Sequence, residues 1–344
     1  MATAKQLPSG KWRAQVYIDG KYVSVTRDTK KEAEYAALEA QMKHKREIEN
    51  MTVGKAIEGY IASKDGVLDP TTIAGYRKIL RNNYQDTLLR MPLKSLSERI
   101  VQAAFNDESK RITRRGTTVS PKSMRNARGL FTAAMKQYGL SFDVTVPAKR
   151  KIIRDLPDPE EIYPIIAGTD IELPCLLAMW MSFTMSEIRG LRVEDINQKK
   201  GTIAINRVIV DVDGLPTVKD KAKEYERNRV VGIPPYIMGL IRATPAWEAG
   251  EGYIVTTKAQ TIARRFKRAV NAAGYSITFH DLRHICASVM LSLNIPDKYA
   301  MERGGWKTDT TLKRVYQETF SAKRLKTDAQ LDGYFENIVE SFHE

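Results

Sequence analysis

Near the middle of the chain stands VPAKRKIIRDLPDPEE, with three prolines and four basic residues. Proline removes a backbone donor and pushes the residue before it out of the helical region, so no helix or central strand runs through such a stretch. The segment reads as a linker over 147–157, and the sequences on either side must fold around separate cores. A length of 344 residues fits two or three domains, and 42% hydrophobic residues suffice to fill them.

Charge separates the two sides. Of the formal net charge of +14, the first 146 residues carry +11. A basic front and a nearly balanced rear point to a polyanion held by the front, as in nucleic-acid-binding proteins. Two cysteines, Cys175 and Cys286, exclude a disulfide framework and suggest a reducing compartment. The opening MATAKQLPSGKW lacks the apolar run of a signal peptide, and no stretch is apolar enough to span a bilayer. The expected location is the cytoplasm, at the nucleoid of a bacterial or phage-infected cell.

In the front, WRAQVYI alternates, Asp19-Gly20 is a turn signal, and KYVSVTR follows, which predicts a β-hairpin. Thr29 then caps an alanine-rich helix beginning KKEAEYAALEAQMKHK. Residues 1–50 therefore read as a small β-sheet plus a helix, exposing Lys11, Arg13, Lys21 and Arg27 for insertion in a DNA groove. Residues 51–146 read as an all-α domain. MTVGKAIEGYIASK, TTIAGYRKILRNNY and SPKSMRNARGLFTAAMKQYGL each show helical spacing, and Lys122, Arg125 and Arg128 recur along one flank of the last. Residues 158–344 mix helices with a strand pair around Asp213-Gly214, the helices including a long apolar one over ELPCLLAMWMSF.

Within this last part lies HDLRH, from His280 to His284. Two histidines at i and i+4 share a helix face, which resembles a zinc-protease pattern. Arg283 falls close to both and would repel a divalent cation, whereas a guanidinium fork beside an imidazole suits phosphate. Thr278 is the expected cap of this helix. Trp306 follows Gly304-Gly305, and Tyr316 stands ten residues later. Order and spacing resemble the C-terminal signature of the tyrosine recombinase (phage integrase) family: His-x-x-Arg, Gly-His/Trp, and a nucleophilic tyrosine.

Two upstream blocks agree with that resemblance. MSEIRGLRVEDI matches the family's Arg-x-Ser-Glu block at Ser186, Glu187, Leu191, Asp195 and Ile196. KEYERNRVVGIP resembles the hairpin segment that supplies a catalytic lysine, which places Lys223 in that role, with Lys219 and Lys221 close by. The family's first arginine falls at Thr184, and Arg189 is its expected substitute, five residues and roughly 140° further around the helix.

The resemblance implies a mobile-element integrase that cleaves and rejoins DNA at specific sites. Arg283 and a second arginine would clamp the scissile phosphate, with His280 and Trp306 hydrogen-bonding to it. Lys223 would protonate the leaving 5′-oxygen, Glu187 would orient its neighbours, and Tyr316 would become a 3′-phosphotyrosine. It also implies arm-site binding by residues 1–50, core-site binding by 51–146, and a homo-oligomeric, tetrameric synapse with accessory DNA-bending proteins. No cofactor is required, since the covalent intermediate stores the bond energy. The rival readings are a cleavage-deficient DNA-binding protein of the same fold and a type IB topoisomerase-like activity. After Tyr316, Leu331, Tyr334, Phe335, Ile338, Val339 and Phe342 form an apolar helical stripe that the family precedent docks on a neighbouring protomer.

Overall fold

The computed structural model describes residues 3–18, 21–148, 154–220, 229–306, 308–310, 312–313, 319–320 and 332–336. The chain divides into two compact units, residues 1–150 and 151–344, with the division inside the expected linker.

The first unit opens with a three-stranded antiparallel sheet in the order β1 (Lys5–Gln6), β2 (Trp12–Ile18), β3 (Lys21–Arg27), followed by α1 (Lys30–Asn50). The alternation in WRAQVYI sends Ala14 and Val16 to one face, where they bury against Ala33 and Ala37 of α1. Thr29 starts that helix through reciprocal bonds with Glu32. The hairpin agrees with the sequence expectation; β1 is additional, and Asp19-Gly20 lies outside the described residues.

Arg13 and Arg27 are both exposed, as expected, but register places them on opposite faces of this sheet. Arg13 pairs with Thr26 on the open face, whereas Arg27 pairs with Trp12 on the face that α1 covers. Arg27 there lines a cavity with Tyr35, Met42 and Met51. The period of two divides residues that looked like one set. Lys11, just before β2, bridges Asp28 at 3.4 Å, and the Lys21 side chain lies outside the described residues.

Five α-helices follow in this unit, α2 (Val53–Lys64), α3 (Pro70–Asn82), α4 (Asp86–Arg90), α5 (Glu98–Lys110) and α6 (Pro121–Lys136), with a 3-10 turn at Leu93–Ser95 between α4 and α5. Side chains of Thr52, Asp69, Ser97 and Ser120 cap α2, α3, α5 and α6. Their apolar stripes meet around Ile57, Ile73, Phe105, Met124 and Phe131. On α6, Lys122 is exposed, while Arg125 and Arg128 are half-buried and donate to the carbonyls of Pro121 and Val144.

The second unit begins inside the expected linker: β4 (Arg154–Asp155) joins a sheet and Leu156 enters the core. There follow α7 (Pro159–Ile166), α8 (Glu172–Met179) and α9 (Met185–Gly190), then β5 (Ile196–Asn197), β6 (Thr202–Ala204), β7 (Arg207–Val212), β8 (Leu215–Asp220) and β9 (Val230–Gly232). The helices α10 (Pro235–Arg242), α11 (Pro245–Ala249), α12 (Ala259–Ala272), α13 (Asp281–Ser292) and α14 (Asp297–Gly304) come next, and β10 (Thr319–Phe320) pairs in parallel with β4. The antiparallel strands β5, β6 and β9 form one sheet, in the order β5-β6-β9. β7 and β8 form a hairpin whose two turn residues, Asp213 and Gly214, have φ of 50° and 86°, the double positive φ of a type I′ turn.

Two expected helices are shorter than the sequence suggested. The apolar helix stops at Met179, and Ser182 takes φ of 60°, which turns its carbonyl towards α13. The helix carrying Arg189 ends at Gly190, so Arg192 lies beyond it in extended backbone. Gly190 is required because a Cβ there would stand 2.5 Å from the Arg207 carbonyl oxygen on β7.

Candidate active site

The site is assembled from the start of α9, the start of α13, β9, and the turn after α14. Thr184 caps α9: its hydroxyl accepts from the Glu187 N–H at 3.3 Å, and its own N–H donates to Glu187 Oε2 at 2.8 Å. That fixes the Glu187 carboxylate, which is almost fully buried. Arg229, one residue before β9, completes its coordination with Nη1 on Oε1 at 2.8 Å and Nη2 on Oε2 at 3.2 Å. Arg229 Nε donates to the Arg303 carbonyl at 3.0 Å, and its guanidinium lies over the Phe183 ring. Planar guanidinium and carboxylate match in a fork, the geometry that repays burying both charges.

Arg283, in the first turn of α13, is also buried. Its Nη1 donates to the carbonyl of Ser182, in the turn that follows α8. The guanidinium stacks on the Trp306 ring with 4.3 Å between its carbon and the ring centre. Burial brings the Arg283 pKa down to about 10, with the Glu187 carboxylate opposing that shift and Arg229 adding to it. Arg283 thus remains a cation at neutral pH. Two guanidinia and one carboxylate leave this cluster with net positive charge, the condition for receiving an anion.

The turn that delivers Trp306 depends on both glycines before it. Any side chain on Gly304 would overlap the Trp306 ring, and one on Gly305, which has φ of +65°, would overlap the Arg229 guanidinium. The pair is therefore fixed by close approach on one side and by left-handed backbone on the other.

Thr184, His280 and Arg283 line one cavity of about 350 Å³, together with Phe183, Gln260 and Ala263. His280 is exposed at its mouth, and its ring meets that of His284 edge-on at 5.0 Å. Thr278 is not the helix cap expected of it. His280 occupies the cap position, and Thr278 donates through N–H and hydroxyl to Asp281 at 2.8 and 2.7 Å.

The structure therefore brings together His280, Arg283, Trp306 and Glu187. It does not bring Arg189 with them: both oxygens of Asp211 on β7 accept from Arg189 Nη1 at 3.1 Å. The turn of helix between Thr184 and Arg189 faces the β7–β8 hairpin, so the expected substitution for the arginine missing at Thr184 is corrected. Lys219 is half-buried on β8 opposite Val208. Tyr316, Lys221 and Lys223 lie outside the described residues. Sequence reasoning passed over Arg229, although it stands in the KEYERNRVVGIP segment already singled out. It also passed over α12, where Gln260 reaches the cavity and Arg264, Lys267 and Arg268 continue along the same exposed face. Spacing of four, seven and eight residues from Gln260 marks that stripe in the sequence.

Known proteins share part of this sequence and its fold. Residues 169–322 match the model of the phage integrase family. The integrase of Staphylococcus phage L54a is 24% identical over 283 residues, covering 76% of this chain and 77% of that protein. Among solved structures, the Tn1549 transposon integrase in complex with a circular intermediate DNA superposes with a TM-score of 0.62 at 13% identity, covering 83% of this chain and 99% of that one. A lambda integrase dimer bound to a COC′ core site gives 0.54 at 18% identity, covering 91% and 94%.

Proposed function

We propose that the chain is a member of the tyrosine recombinase (phage integrase) family, whose model its residues 169–322 match, and that it is a site-specific recombinase of a mobile element, joining and excising DNA through a 3′-phosphotyrosine. The observation that carries this reading is the cavity holding His280 and the buried, Trp306-stacked Arg283. A phosphodiester under attack gains charge on its non-bridging oxygens, and a fixed cation there lowers the barrier without waiting for solvent to reorganise. Arg283 supplies that cation, and His280 a hydrogen bond at the cavity mouth. Tyr316 supplies the attacking oxygen, ten residues past Trp306. A lysine at the end of β8 or in the segment that follows it, Lys223 or its neighbours Lys219 and Lys221, protonates the departing 5′-oxygen.

Duplex DNA is the partner. Arg264, Lys267 and Arg268 on α12 lead away from the cavity as a track for its phosphates, and Arg13 and Lys122 give the first unit phosphate contacts of its own. Arm-site binding by residues 1–50 and core-site binding by residues 51–146 divide the work of the front. The protein works as a homo-oligomer on DNA. Tyr334 and Phe335, 63% and 56% exposed, dock in the apolar cavity of about 1040 Å³ that Trp180, Tyr236, Met290, Leu293 and Tyr299 line on another copy.

The test uses nicked duplexes tiled across the DNA flanking the coding gene, so that cleavage next to the nick releases a short strand and traps the covalent complex. Adducts on one duplex support the recombinase. Binding without adduct favours the cleavage-deficient alternative, for which Thr184 in the place of an arginine is the specific observation.

A further inference from the structure

Arg229 and Glu187 form a closed pair beside Arg283, and its closure has a consequence for the anion site. Glu187 is 4% exposed and Arg229 9% exposed, so neither charge is screened by water. Without Arg229, the buried Glu187 carboxylate loses both bonds of the guanidinium fork and keeps the Thr184 N–H on Oε2. The cation at hand is Arg283, which already feels the fields of both residues. A buried carboxylate in search of a partner competes for the same guanidinium that a phosphate needs.

Resting on the recombinase reading above, we infer that Arg229 is a positioning residue that keeps Glu187 occupied and so leaves Arg283 free for the scissile phosphate. It acts through its neighbours rather than by touching DNA. Its Nε bond to the Arg303 carbonyl and its contact beneath Gly305 also hold the turn that lays Trp306 on Arg283. The chain thereby works with one phosphate-facing guanidinium and a second one spent on the internal carboxylate. That arrangement accounts for Thr184: its N–H donates to the same carboxylate and its hydroxyl accepts from the Glu187 backbone N–H, as a cap, where an arginine would have brought a third positive charge into a buried cluster.

The pair makes a specific prediction under double substitution. Arg229→Gln alone exposes Arg283 to a carboxylate that has lost its guanidinium fork, whereas Arg229→Gln with Glu187→Gln removes the competitor and leaves two amides able to bond to one another. The full-length protein and both variants are compared in two assays: covalent trapping on the nicked duplexes, and calorimetric titration with inorganic pyrophosphate as a DNA-free probe of the anion cavity. Arg229→Gln is expected to lose about a hundredfold in trapping, the scale of one disabled oxyanion donor, and to weaken pyrophosphate binding. The double variant is expected to recover most of both, an outcome a merely structural role for Arg229 does not give. Parental behaviour of Arg229→Gln overturns the inference, as does a double variant that is unfolded, or folded and as poor as the single one. If the parental protein forms no adduct while the pyrophosphate pattern holds, the recombinase reading fails and the role of Arg229 stands. Absence of pyrophosphate binding by the parental protein overturns the inference itself.

Discussion

Replacing Gly190 by alanine tests how the site is held in place. A Cβ at this position stands 2.5 Å from the Arg207 carbonyl oxygen, 2.9 Å from its carbon and 3.0 Å from the Val208 Cα. Ordinary carbon–oxygen contacts begin near about 3.3 Å, so the backbones of α9 and β7 must separate by somewhat under an ångström. They resist, because β7 is laddered to β8 over six residue pairs and Arg207 is bound to the buried Asp195 at 2.6 Å. Overpacking of this kind costs about 1–3 kcal/mol; backbone against backbone belongs at the upper end, and the helix propensity of alanine returns at most about 1 kcal/mol. The net loss is about 2 kcal/mol, or about 4–8 °C in the unfolding midpoint of a unit this size. Gly239→Ala is the control: nothing lies within 4 Å of a Cβ there, so helix propensity alone acts, raising the midpoint by about 2–4 °C. Differential scanning calorimetry of both variants decides it. A Gly190→Ala protein as stable as the parent refutes the close approach of α9 and β7.

Other perturbations follow from the same geometry. Arg189→Ala removes the bond to Asp211 and should cost about 1–2 kcal/mol of stability with cleavage by the folded protein unchanged; loss of about 2–4 kcal/mol in the cleavage barrier instead would return Arg189 to the phosphate. Tyr275 donates to Glu161 at 2.8 Å, and that bond, with the Asp158 N–H, holds the Glu161 carboxyl below its ordinary range. A depressed carboxylate pKa contributes stability that is present above the unfolded value and lost as pH falls through the folded one. Tyr275→Phe should therefore flatten the acid limb of the stability curve, and identical limbs in urea titrations would contradict this. Deleting residues 331–344 should impair assembly of the protein on DNA more than binding to a single site, as read by gel shift; unchanged assembly would assign the exposed Tyr334 and Phe335 to their own domain.

Much of the site was legible because its parts are local. His280, Arg283 and Trp306 follow one another at fixed spacing, and the type I′ turn at Asp213-Gly214 announces itself in two letters. Of the two caps expected, Thr29 starts α1, whereas His280 and not Thr278 stands at the cap of α13. What stayed hidden depends on distance along the chain. Arg229 and Glu187 are 42 residues apart, and nothing at either position reports the other. Arg189 was judged by its angle from Thr184, but a carboxylate 22 residues away on a hairpin decided its direction. The early end of α8 has the same character: ELPCLLAMWMSF is nearly continuous in apolar residues, and the Ser182 carbonyl turned out beyond Met179 meets the Arg283 guanidinium 101 residues later. Helix α5 is a different case, since Ser97 and the spacing of Val101 and Phe105 were in plain view.

The central claim is that Tyr316 attacks a phosphodiester held by Arg283, using side-chain charge alone. Trapping on a nicked duplex in excess EDTA, followed by peptide mass spectrometry of the adduct, tests it most directly. The expected result is DNA attached to Tyr316 through a 3′-phosphate, undiminished by the chelator, and abolished in Tyr316→Phe while that variant still binds the duplex. Cleavage by Tyr316→Phe, an adduct on a different residue, or a strict requirement for a divalent cation in the chemical step would each contradict it.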